Sequence, residues 1–88
     1  MEFEELRAQS QQLLIEFLVQ EVLLGTAFAE VAATERAMGN SEHGERAKEH
    51  AQKALESIGR FLPRVEDPRA KATLEESCND LKNIISAL

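Results

Sequence analysis

Tryptophan and tyrosine are absent from this chain, cysteine occurs once, proline twice and glycine four times. With four Phe residues as the whole aromatic content, the side chains that favour strands are scarce. One cysteine, Cys78, excludes an internal disulfide and agrees with a reducing, cytoplasmic setting. The glycines (Gly25, Gly39, Gly44, Gly59) stand alone, so neither G-x-G-x-x-G nor G-x-x-x-x-G-K is present to cradle a phosphate. A serine-centred nucleophile elbow is missing too.

Basic charge is also in short supply. Sixteen acids against ten Lys and Arg leave a net charge of −6, with no local basic cluster. Such a surface repels phosphate backbones and anionic lipid, so neither nucleic acid nor membrane is expected as a partner. The opening residues Met1-Glu2-Phe3-Glu4-Glu5 are acidic where a signal peptide would be basic. Even the most apolar stretch, Leu13 to Ala33, carries Glu16, Glu21 and Glu30. One acid near a bilayer centre costs about 2–3 kcal/mol on insertion scales, which argues against a spanning helix.

What remains is a chain of 88 residues, 43% apolar and rich in Ala, Leu, Glu, Gln, Lys and Arg. These residues lose little on entering a helix, and the length suits one all-α domain, residues 1–88. Gly39-Asn40-Ser41 and the interval Pro63 to Pro68 divide it into three segments. Helices are expected over about 2–38, 42–62 and 68–87.

In the first segment, Phe3, Leu6, Leu13, Phe17, Leu24, Phe28, Val31 and Met38 fall on one stripe at helical spacing, read as the core-facing side. Leu14, Leu18, Val22, Gly25 and Ala29 form a second apolar line beside it, and Ile15, Val19 and Leu23 widen the arc. The second segment starts with Ser41 as the expected N-cap and buries Ala47, Ala51, Ala54, Leu55, Ile58 and Leu62. Its opposite side carries Glu42–Arg46, Glu49–Lys53 and Glu56–Arg60, acid-to-base pairs four residues apart that mark a solvent face. Asp67-Pro68 opens the third segment as N-cap and first helical residue. Leu74, Cys78, Leu81, Ile85 and Leu88 then follow as a clean seam, flanked by Ala70 and Ile84.

Lengths set these segments at odds. At 1.5 Å per residue the first helix spans roughly 54 Å and the others about 30 Å each. Two short helices cannot cover the long one. Either it breaks near Gly25, or another chain covers the excess. The arc Leu14, Ile15, Leu18, Val19, Val22 and Leu23 is therefore the expected interface of a homodimer.

Candidates for chemistry are few, and no catalytic, cofactor-binding or metal-ligating set is expected. His43 and His50 are seven residues apart, about 10.5 Å along one helix, too far to share a metal ion. The Glu-x-x-His motif of carboxylate-bridged metal bundles is missing. Glu21 and Glu35 occupy seam positions, where a carboxylate must pair, reach outward or titrate unusually. A structural ion pair is the simpler expectation; a general acid or proton-linked switch would need a second group and a pocket. Cys78, in the third seam, reads as a core thiol with no basic neighbour placed to activate it.

The middle of the chain resembles a tetratricopeptide-type helical hairpin over residues 24–63. Leu24-Gly25-x-x-Phe28 is similar to its first-helix signature, Gly39-Asn40 to its turn, Ala47, Ala51 and Ala54-Leu55 to its second helix, and Pro63 to its terminating proline. It departs from that pattern in a first helix about two turns too long, in alanine at Ala51 where a bulky residue is usual, and in having one hairpin where arrays need about three. The three-helix microtubule-interacting-and-trafficking domain is similar in size and alanine spacing. Either resemblance implies binding of a partner's helical or extended segment. The sequence thus reads as a three-helix, all-α chain serving protein interaction or assembly without catalysis. A tetratricopeptide-like peptide-binding adaptor is the alternative, and a small metal-binding or enzymatic bundle the remote one.

Overall fold

A computed structural model describes residues 2–88, Met1 lying outside them. The protein is all-α. Helix α1 covers Glu2–Ala37, α2 Ser41–Phe61 and α3 Pro68–Ser86, with a single 3-10 turn at Leu62–Arg64 between the last two. The molecule measures 57 × 18 × 15 Å, its long dimension set by α1, which runs unbroken through Gly25.

Local chemistry punctuates the chain. At the end of α1, Gly39 takes φ +84°, a backbone region open to glycine at little cost. Its N–H donates to the Arg36 carbonyl at 3.1 Å, and the Asn40 N–H to the Glu35 carbonyl at 2.8 Å. Together these bonds close a Schellman turn that satisfies the last carbonyls of α1. The turn corrects the expected start of α2. Asn40 occupies the N-cap and Ser41 is already helical, because the reversal is complete within two residues. The Asn40 side chain caps nothing and instead donates to Glu35 Oε2 at 2.9 Å. Asp67 does cap α3 as expected, accepting from the Arg69 N–H at 3.1 Å, with Pro68 as the first helical residue. Of the three acid–base pairs on α2, only Glu42–Arg46 approaches bridging distance among the described residues, at 3.6 Å and fully in solvent.

The connection between α2 and α3 is tied to α1. The Gln11 carboxamide donates to the Arg64 carbonyl at 3.0 Å and accepts from the Glu66 N–H at 2.8 Å. One side chain thereby satisfies two backbone groups of an irregular segment, as a neighbouring strand would. One turn earlier, Arg7 Nε donates to both Glu66 oxygens at 2.8 and 2.9 Å. These bonds fix where α3 begins beside α1.

The core contains Leu18, Ala29, Ala51, Ile58, Leu62, Val65, Leu74, Leu81 and Ile85. On α2 and α3 the buried faces are those read from the sequence. On α1 the assignment is reversed. The buried line is Leu18, Gly25, Ala29 and Ala32, whereas Phe3, Leu6, Leu13, Phe17, Leu24, Val31 and Met38 are exposed. Phe28 alone of the expected stripe packs against the core. The reason is size. The inward face of α2 is Gly44, Ala47, Ala51 and Ala54, and so flat a face packs best on another flat one. A Cβ on Gly25 would stand 3.2 Å from that of Ala54, and one on Gly44 would stand 3.3 Å from the Ala32 carbonyl oxygen. Close approach along glycine and alanine closes the α1–α2 interface without the large side chains, which are left on the far side of α1.

Candidate interaction surface

The largest feature outside the core is that far side of α1. Phe3, Leu6, Leu13, Phe17, Leu24 and Val31, with Met38 just beyond the helix, retain 41–77% of their surface. Together with Ser10, Gln20, Ala27 and Thr34 they alternate at spacings of three and four from residue 3 to residue 38. That is the seven-residue repeat with which one helix lies along another. The stripe has no partner within the chain over most of its length. At Phe17 it meets α2, where the Phe61 ring stands edge-on at 5.7 Å and the Arg64 guanidinium lies 5.1 Å above Phe61.

The arc expected to form a dimer interface is mostly used within the chain. Leu18 is completely buried, and Leu14, Ile15 and Val22 are half-buried against the core. Val19 and Leu23 remain exposed and border a second, shallow groove between α1 and α3, lined also by Val22, Thr73, Leu74 and Ser77. The structure therefore separates what the sequence joined: an inner arc that holds α2 and α3, and an outer stripe that touches the rest of the chain chiefly through the Phe17–Phe61 contact.

Both edges of the stripe are charged. The edge away from α2 carries Glu2, Glu16 and Glu30, all exposed. Toward α2, the stripe adjoins Phe28, whose ring stacks on His50 at 4.8 Å. Arg46 and Lys53 lie four residues before and three after His50 and share its side of α2, and Arg60 follows Lys53 by seven. Glu42, Glu49 and Glu56 stand four residues before Arg46, Lys53 and Arg60 on the same face, and Glu42 bridges Arg46 at 3.6 Å, so the exposed outer face of α2 is of mixed charge.

The residues singled out for chemistry are scattered. Glu21 and Glu35 are half-buried on the α2 edge, and the bond from Asn40 engages Glu35. No charged side chain is fully buried among the described residues. His43 and His50 are exposed on α2, and no group of three metal-ligating side chains occurs among the described residues. Cys78 is half-buried in the α3 seam; desolvation pushes its thiol above the ordinary range, against a weaker opposing pull from Lys82. Glu66 keeps the Arg7 guanidinium more firmly protonated, first by hydrogen bonding and then by charge. No helix of the described chain is long and apolar enough to cross a membrane. Comparison with protein-family models, with curated proteins and with solved structures returns no match to this chain.

Proposed function

We propose that this protein is a non-catalytic interaction or assembly module whose working surface is the outer stripe of α1. One observation carries the reading: seven large apolar side chains stay exposed at a seven-residue repeat although the chain has already closed a core without them. At roughly 100 Å² apiece they amount to on the order of 700 Å², beyond the largest apolar patch of a typical monomer and close to one side of a standard interface. A helix with such a seam is suited to binding another helix. Self-association through α1, expected from length alone, belongs on this stripe and not on the inner arc. A reducing, cytoplasmic setting suits the single thiol.

The test compares wild type with a Leu13→Glu/Leu24→Glu/Val31→Glu variant, each position being exposed in the monomer. The variant should keep the helical signal and melting temperature of the isolated chain while losing association, with itself and with proteins retained on the immobilised wild type. Unchanged association in the variant would overturn the reading.

A peptide-binding adaptor is a second reading, supported by the groove of Val19, Leu23, Thr73 and Leu74 between α1 and α3, which lies outside the tetratricopeptide-like residues 24–63. Val19→Glu/Leu23→Glu would then abolish partner retention while the stripe variant would not.

A further inference from the structure

Resting on the interaction reading above, we infer that the occupant of the outer stripe is a second copy of this chain lying antiparallel, with Leu13 of each copy against Leu24 of the other. Area comes first: two such stripes in contact remove on the order of 1,400 Å² from water, within the range of stable specific interfaces. The shape of the molecule points to the same occupant. Helix α2 accompanies α1 only from Arg36, beside Gly44, back to Phe17, beside Phe61. Ahead of that stretch, residues 2–10 are exposed on every side of the helix, Phe3 at 77% and Leu6 at 61%. About two and a half turns of helix without packing are marginal in water. In the antiparallel pair the overhang of each copy lies along the Val31 end of the other, where that copy's α2 stands beside it. The two α2 helices then follow one another end to end on one side of the pair. A parallel pair would set the two overhangs side by side beyond both bundles, with no cover but each other.

Carboxylates on α1 itself decide between the two directions. Glu16 and Glu30 precede the seam residues Phe17 and Val31, whereas Glu21 and Glu35 follow the seam residues Gln20 and Thr34. Across a parallel pair each flank meets the opposite flank roughly five residues further on, so Glu16 would meet Glu21 and Glu30 would meet Glu35. Symmetry doubles both contacts, and like charges across an interface disfavour it. An antiparallel pair brings like flanks together instead. With Leu13 against Leu24, Glu16 meets Leu23, Glu30 meets Gln9 and Glu21 meets Leu14, so these carboxylates stay apart. Sliding one copy by a single repeat restores an acid–acid contact, Glu16 on Glu16 in one direction and Glu16 on Glu30 in the other. The same register packs Leu6 against Val31 and Phe17 against the slimmer Gln20. An in-register parallel pair would stack Phe17 on Phe17 and Ala27 on Ala27, crowding one layer and leaving a gap in the other.

The full-length chain with Cys78→Ser provides a clean background for cross-linking. Sedimentation equilibrium at about 100 μM should give twice the 9.8 kDa chain mass. Under mild oxidation, a mixture of Leu13→Cys and Leu24→Cys chains should give mostly the mixed disulfide, and neither chain alone should link to itself. Gln9 tests the register without touching the seam. Gln9→Lys should tighten pairing by about threefold through Glu30 of the other copy, and Gln9→Glu should loosen it by about as much. A one-chain mass at that concentration would exclude the second copy. If the stripe variant still lost retained proteins in that case, the interaction reading would stand alone. Self-linking of Leu24→Cys would establish the parallel pair and overturn the orientation, and equal affinity of the two Gln9 variants would overturn the register.

Discussion

Gly25 and Leu81 meet where the three helices converge: a Cβ at Gly25 would lie 2.7 Å from Leu81 Cδ2, closer than packed carbons come. Leu81 is 1% exposed and has little room to move aside, and Ala54 presses from the other direction at 3.2 Å. The absence of a side chain at Gly25 lets α2 and α3 both reach α1. Gly25→Ala gains about 1 kcal/mol in helix propensity but loses about 1–3 kcal/mol to overpacking. Net destabilisation of about 1 kcal/mol is expected in chemical denaturation. Gly59→Ala is the control. No atom lies within 4 Å of its added Cβ, so it should stabilise by about 0.5–1 kcal/mol. A stabilising Gly25→Ala would mean the convergence is looser than described.

The Gln11 clamp makes a separate prediction. Gln11→Ala removes both the donor to Arg64 and the acceptor from Glu66, and should cost about 1 kcal/mol because the site is partly solvated. Hydrogen exchange at the Glu66 amide should quicken in this variant, reporting release of the connection itself. Gln11→Glu keeps the acceptor and loses the donor, so Glu66 protection should survive while stability falls by less. Replacing Arg7, whose bridge to Glu66 is exposed, should change stability little.

The two faces of α1 should respond differently to truncation. Leu18→Ala opens a cavity at a completely buried position and should cost about 3 kcal/mol. Leu13→Ala, at 65% exposure, should stay within about 0.5 kcal/mol when denatured at concentrations too low for pairing. If both truncations cost the same, the orientation of α1 would be wrong.

The Cys78 thiol should react slowly. Burial raises its pKa, so at pH 8 a smaller fraction is thiolate than in an unfolded chain, and the seam restricts access as well. By linkage, the thiol favours folding fully below its ordinary pKa, and this contribution is lost as pH rises through the raised folded value. Alkylation timed by mass spectrometry should therefore be slow in the native state, faster as pH rises, and fastest in denaturant. Native and denatured rates that coincide at pH 8 would contradict the placement of Cys78.

Most of the helical framework could be read without coordinates because its causes are local. Gly39 permits the left-handed turn, Asp67-Pro68 starts α3, and the four-and-three spacing of Leu74, Cys78, Leu81 and Ile85 marks a seam whatever it packs against. The inner face of α2 was equally legible, since its charges leave only one side apolar. The candidate surface was not. Two apolar lines compete on α1, and spacing and hydropathy alone favour the one with the larger residues. The missing clue was steric. An alanine face on α2 calls for a small-residue partner, and on α1 that partner is Gly25, Ala29 and Ala32.

The amino-acid order by itself determined that there are three helices, where each begins and ends to within about one residue, and that α1 carries more apolar surface than α2 and α3 can cover. Only the tertiary structure decided which side of α1 turns inward and which residues share the edges of its outer stripe. Helix ends follow from backbone bonds and dihedral preferences within a few residues. The choice between two apolar faces follows from how closely two helices can approach, and that distance belongs to the pair.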